Sequence, residues 1–300
     1  MVTEEFKRNS IQLYMSQGLG NQLFHYCYLL YLVKLRPEIK IRIVFNRKPF
    51  SDIYLFQLSD LIKFDNSILC VRLNNSFVYK IRIFVSKIFR YKLDRILRIF
   101  REKDIFTFEQ ELLHVPRKSI VFGAFINNKY VDPIFFQARE KIMTWLSNQP
   151  KIKNFYFIEF NDTVVLHLRK SEEPTWKNVR GTLTENYYRE AVDLISNRRG
   201  VKIKKIYVFT DDVVRAKKTL PTLPVTNWFG PNDASNLQAL YIFAKAYNFI
   251  GSNSTLSWWG AKLNDSPESS IRILPHPWVL NQSHADLALN IPTVDYVKIS

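Results

Sequence analysis

Apolar residues first gather in Ile11 to Met15, a short run of strand type. A polar break containing two glycines follows, Gln17 to Gln22 (QGLGNQ). Leu23, Phe24, Cys27, Leu30 and Tyr31 then recur at helical spacing until Pro37 stops the pattern. Ile39 to Phe45 alternates with a period of two. Strand, helix and strand in that order predict a β-α-β unit, and so a parallel sheet with helices on its faces. The second half repeats the order. Thr163 to Leu168 (TVVLHL) and Lys205 to Phe209 (KIYVF) read as strands, with a helix over Tyr187 to Ile195 between them. Ala234 to Tyr247 reads as a helix capped by Asp233. Phe249 to Gly251 is strand-like and runs through Ser252-Asn253-Ser254-Thr255 into a helix over Trp258 to Leu263. The pattern predicts an α/β fold in two domains, 1–150 and 151–300, with the boundary near Gln149-Pro150-Lys151.

In parallel α/β sheets, ligands collect at the carboxyl ends of the strands. His167 and Arg169, Asp211 and Asp212, and Asn253, Ser254 and Thr255 all fall at such ends, so three loops are expected to converge on one site.

The middle of the chain breaks the alternation. Lys80 to Lys103 carries nine basic residues against Asp94 and Glu102. Ile81, Phe84, Val85 and Ile88 form one helical stripe, and Phe89, Leu93, Ile96, Leu97 and Phe100 a second. Such a basic amphipathic helix suits a membrane surface or a partner, or else packs on its own domain with a solvated basic face. Over all 300 residues, 43 Lys and Arg outnumber 27 Asp and Glu, a net +16 that favours anionic partners. Nucleic acid is set aside, because the basic tract comes with no RNA-binding motif. Cys27 and Cys70 form no CxxC and have no nearby His at zinc spacing, so both are expected to be buried thiols in a reducing compartment. The amino-terminal residues lack the apolar stretch of a signal peptide, and no window reaches the ~18 apolar residues of a spanning helix. A cytoplasmic protein, soluble or peripheral on the inner face of the membrane, is expected.

The candidate chemistry follows from these loops. A strand–turn–helix presents backbone N–H groups to an anion, but QGLGNQ is neither a Walker loop nor a dinucleotide fingerprint, since Leu23 stands where a third glycine belongs. A plain turn fits equally well. Arg169 can offer a fork of donors to a diphosphate and Lys170 a second charge. His167 is either a ligand contact or a buried histidine. Asp211 and Asp212 are either acceptors for nucleoside hydroxyls or a helix cap. Asn253 to Thr255 supplies hydroxyls and amides for phosphate, or an ordinary N-cap. Together they fit a sugar-nucleotide site with cationic phosphate ligands and no metal or cofactor.

Four segments also resemble one family. GLGNQLF (Gly18 to Phe24), HLRKSE (His167 to Glu172), VFTDD (Val208 to Asp212) and NSTLSWWGAKLN (Asn253 to Asn264) are similar, in order, to the motifs of the α-1,2-fucosyltransferases, and the second is shared with α-1,6- and protein O-fucosyltransferases. The resemblance implies a GT-B-like fold, two Rossmann-type domains facing a cleft, with the donor held mainly by the second. It implies inverting, metal-independent transfer of fucose from GDP-β-L-fucose to the 2-hydroxyl of a galactose-containing oligosaccharide in O-antigen synthesis; if that acceptor is lipid-linked, the basic tract would hold the enzyme at the anionic inner leaflet. By position, Arg169 would hold the β-phosphate, His167 and Asp212 would contact the nucleoside, and Ser254 and Thr255 the diphosphate. Asn21, beside Gly20, would lie near the β-phosphate and acceptor. The chain departs from the family at Lys170, Glu172, Glu173, Gln17 and His25. Glu172, Glu173 and His25 are the candidates for a base. Another nucleotide sugar is the alternative donor.

Overall fold

The computed structural model describes residues 10–15, 18–45, 58–62, 68–72, 77–89, 91–149, 160–169, 183–264, 266, 268–280 and 283–298. Two compact units divide between Ala138 and Arg139 rather than at 150, so one helix, Phe135–Ser147, begins in the first and ends in the second.

The first unit holds five strands: β1 (Ser10–Met15), β2 (Lys40–Phe45), β3 (Ile68–Arg72), β4 (Ile99–Arg101) and β5 (Ile120–Phe122). They pair in parallel in the order β3-β2-β1-β5-β4. The predicted β-α-β unit is present, with α1 (Leu19–Leu35) joining β1 to β2. Helix α1 is buried on nearly every side, which is why its apolar residues form no single stripe. A short α2 (Ser59–Ile62) precedes β3.

The basic tract is not one helix. Helix α3 spans Phe77–Ile88 and stops there. Tyr91 and Arg98 adopt left-handed φ values of 67° and 52°, which no α-helix can contain, and the chain turns between them before entering β4. The second expected stripe is divided accordingly. Ile96 stays on the surface while Phe100 is buried in a strand.

After α4 (Asn128–Val131) and α5 (Phe135–Ser147), the second unit contains β6 (Thr163–Leu168), α6 (Glu185–Arg199), β7 (Lys205–Thr210), α7 (Val213–Thr219), β8 (Asn227–Phe229), α8 (Asn236–Lys245), β9 (Asn248–Ile250), α9 (Thr255–Lys262), β10 (Ile271–His276), α10 (Ser283–Leu289) and β11 (Asp295–Lys298). Its six strands are all parallel, in the order β11-β10-β9-β6-β7-β8. Counted from β6, this is the doubly wound order 3-2-1-4-5-6. The second unit by itself is thus of Rossmann type, and the first is an all-parallel five-stranded sheet that shares the order 3-2-1 on one side. The expected α/β fold class of GT-B-like kind, with a parallel sheet in each unit, holds.

Strand β6 is central and every residue in it is buried, as expected of a parallel strand covered on both faces. Gly200, at φ 64°, ends α6 by letting its own amide and that of Val201 bond back to the carbonyls of Asn197 and Ser196. The expected Asp233 cap is replaced. Ser235 caps α8 in a capping box with Gln238, while Asp233 accepts from the amide of Gly230.

Candidate functional site

Where the strand order reverses, between β6 and β9, a doubly wound sheet leaves a crevice at its carboxyl edge. Leaving β6, His167 is buried and Arg169 is exposed. Leaving β9, Gly251 to Ser254 lead into α9. Ser254 is the N-cap of α9 and its hydroxyl accepts from the amide of Leu256 at 3.3 Å. The same hydroxyl oxygen accepts from Nη1 of Arg169 at 3.2 Å. Guanidinium, hydroxyl and helix amino end therefore meet at the switch point. That is a set of donors suited to a phosphate.

A second layer holds this edge in place. Ser257 Oγ accepts from the amide of Ser252 at 2.9 Å and lies 2.6 Å from Nδ1 of His167. Ser252 Oγ lies 3.3 Å from the same Nδ1 and 3.3 Å from Ser257 Oγ, so the two hydroxyls and the imidazole form one buried hydrogen-bonded cluster. Burial, and secondly the Arg169 charge, pull the His167 pKa down to about 3, so the ring is neutral. Two tyrosines of α6 tie down the strand ends: Tyr188 Oη donates to the His167 carbonyl at 3.3 Å and Tyr187 Oη to that of Gly251 at 2.7 Å. Gly251 has no room for a side chain, because a Cβ would lie 2.5 Å from Leu274 and 2.9 Å from Ser257 Cβ. None of Tyr187, Tyr188, Ser252 or Ser257 stood out in the sequence. Only the strand-end position of their partners could have pointed to them.

The NSTLSWWG segment divides into two roles. Asn253, Ser254 and Thr255 lie at the site edge. Trp258 and Trp259 are fully buried, Trp258 Nε1 donates to the Leu289 carbonyl at 2.7 Å, and Gly260 lets α9 pack directly on Phe243 of α8. Asp211 and Asp212 sit at the adjacent carboxyl end of β7, Asp211 exposed and Asp212 half-buried. Asp212 caps α7, one carboxylate oxygen accepting from the amide of Arg215 at 3.0 Å. Lys170, Glu172 and Glu173 lie outside the described residues, as does Gln17.

In the first unit the corresponding reversal lies between β1 and β5. Gly18 caps α1 with φ −74° and ψ 173°, an extended conformation open to any residue, and nothing lies within 4 Å of where its Cβ would stand. The fold does not require glycine there. Gly20 is buried in the first turn of α1, and Asn21 is half-buried, its carbonyl engaged by Nδ1 of His25 at 2.7 Å. Nε2 of His25 lies 2.8 Å from the Gly123 carbonyl. Each nitrogen faces a backbone oxygen, and burial lowers the ring's pKa, so the neutral ring donates to one of the two carbonyls. His25 here ties α1 to the segment leaving β5, and neither nitrogen is open to a sugar hydroxyl. Glu102 supports the same segment. Its carboxylate accepts from the amides of Ala124 at 2.7 Å and Phe125 at 3.1 Å, where Phe125 is held at φ 55°. Burial raises the Glu102 pKa to about 7 against the pull of those two amides. In the sequence Glu102 reads only as a charge in the basic tract.

Residues 137–291 match the family model described as Glycosyl transferase family 11. The chain belongs to this family. It is the one its four motifs resemble, and the match lies almost wholly in the second unit. The O-antigen biosynthesis glycosyltransferase WbnK of Escherichia coli is 30% identical over 161 residues, 52% of this chain and 51% of that protein. The match thus spans about half the length of this curated relative. Among solved structures, E. coli ADP-heptose lipopolysaccharide heptosyltransferase II has a TM-score of 0.49 at 9% identity, covering 97% of this chain and 91% of that one. POFUT1 in complex with GDP-fucose has a TM-score of 0.41 at 14% identity, covering 86% and 94%. At these values neither likeness bears on the chemistry of this chain.

Proposed function

We propose that this family 11 chain is a glycosyltransferase that moves L-fucose from GDP-β-L-fucose to the 2-hydroxyl of a galactose-containing glycan, with inversion and without a metal. The observation that carries the reading is the Arg169–Ser254 contact at the β6/β9 switch point. In the reaction the bond from the fucose anomeric carbon to the β-phosphate oxygen breaks, and the acceptor oxygen bonds to that carbon from the other face. Negative charge grows on the departing GDP. Donors already fixed beside the phosphate stabilise that charge without reorganising, which is the reason to place a guanidinium and a helix amino end together. The acceptor proton passes to a base, for which Glu172 and Glu173 remain the proposed groups.

The name of the E. coli relative supports O-antigen or a similar surface glycan as the product. An acceptor carried on a lipid would place the reaction at the inner face of the cytoplasmic membrane. The test is transfer from GDP-fucose to a panel of β-galactosides in EDTA, with the linkage read by NMR and GDP, UDP and GDP-mannose compared by calorimetry. An α-1,2-fucoside formed in EDTA is expected. Preferential binding of UDP would overturn the donor, and loss of activity in EDTA would overturn metal independence.

A further inference from the structure

Helix α3 is inverted with respect to ordinary amphipathic packing. Two of its polar residues, Arg82 and Ser86, face the protein. Arg82 donates to the carbonyls of Leu97, Arg98 and Lys118, and Ser86, fully buried, donates to Asp94 at 2.5 Å. Asp94 in turn accepts from Arg101 at 2.8 Å, so the turn between α3 and β4 is bound firmly to the helix. Three of its bulky apolar residues face outward. Ile81, Phe84 and Ile88 share one helical face at i, i+3 and i+7, and Phe84 is 65% exposed. Phe89, Tyr91 and Ile96 continue the exposure along the turn, Ile96 at 79%. Exposed large apolar groups clustered in this way mark an interaction surface.

Charge identifies the partner. Lys87, Lys92, Arg95, Arg98, Arg117 and Lys118 are all exposed around these apolar groups. The carboxylates nearby are engaged, Asp94 with Arg101 and Glu111 with Arg95 and Lys103. We propose that this outward face of α3 and its following turn docks onto an anionic lipid bilayer. Phe84, Ile88 and Ile96 would enter the headgroup–acyl boundary, with the lysines and arginines at the level of the phosphates. A surface that pairs bulky apolar side chains with an excess of exposed cations gains from both components of such a bilayer, whereas a neutral bilayer or a dissolved polyanion matches only one. The inference goes beyond the transfer chemistry and stands independently of the donor.

The full chain is floated with vesicles of phosphatidylcholine, with and without phosphatidylglycerol. Binding to the anionic vesicles alone is expected, weakening with salt. Replacing Lys87 and Lys92 together by Gln is expected to lower partitioning about 25-fold, from roughly 1 kcal/mol per cation at an anionic surface and tenfold per 1.4 kcal/mol. The exposed pair Phe84→Ser and Ile96→Ser is expected to abolish it at an unchanged unfolding midpoint, which checks that the fold is intact. The proposal is overturned by equal recovery from both vesicle types, by no binding, or by wild-type binding in either double variant. It is equally overturned if the apolar pair abolishes only self-association or RNA binding, with no lipid binding in the parent. None of these outcomes depends on fucose transfer, so the two readings fail separately.

Discussion

Replacing Arg169 by Lys tests the phosphate role while keeping the charge. Arg169 is exposed and, among the described residues, its one hydrogen bond is to Ser254 at 3.2 Å. The folded state therefore loses little, within about 1 kcal/mol for a surface substitution that breaks one hydrogen bond. The transition state loses much more, because a lysine cannot supply two fixed donors to a phosphate whose charge is growing. Removing one preorganised donor from such a site costs about 10²–10³ in kcat, or ~2.7–4 kcal/mol. The loss should fall on kcat more than on the KM for donor, since the interaction strengthens as the bond breaks. A second readout is local. His167 is held low first by burial and then by the Arg169 charge, so its titration, followed by NMR, should hardly move in Arg169→Lys and should rise in Arg169→Gln while staying below the ordinary range. The assay is steady-state transfer from GDP-fucose, with the unfolding midpoint as control. Near-normal turnover in the folded Lys variant would refute the phosphate role.

Three further outcomes are expected. Glu102 has its pKa raised to about 7, so the folded state holds its proton more tightly than the unfolded chain, and stability falls as pH rises from 4.5 to 7, by on the order of 3 kcal/mol. Glu102→Gln should flatten chemical-denaturation midpoints across that window, and an unchanged slope would contradict it. His167 has the opposite sign: its pKa is lowered, so its contribution is complete above pH 6.5 and is lost as pH falls toward 3, and His167→Gln should blunt this acid destabilisation. The two glycines at strand ends should behave differently. Gly251→Ala must displace Leu274 or Ser257 and should lose ~1–3 kcal/mol of stability. Gly18→Ala meets open space and should fold normally while losing transfer, if close approach of a ligand is the reason for glycine there. Wild-type activity in that variant would leave the loop a plain turn.

Much of the molecule was determined by short-range pattern alone. The strand-type runs at Ile11–Met15, Thr163–Leu168 and Lys205–Phe209 became strands, because alternation or near-continuous apolarity over five or six residues admits little else. Strand–loop–helix repetition then made parallel sheets necessary, and it placed Arg169 and Ser254 at carboxyl ends. Other features belonged to the tertiary structure. The turn at Tyr91 to Arg98 was invisible because the basic tract keeps helical spacing through it. Only the pull of Arg82 and Ser86 toward the carbonyls and carboxylate of the neighbouring segment decides which face turns inward. The roles of Glu102, Tyr187, Tyr188 and Ser257 were likewise unreadable, since each partner lies far along the chain or is a backbone group that carries no sequence signal. Local pattern places a residue at the end of a strand. Which atoms it meets there depends on strand order, and strand order is set by packing of the whole sheet.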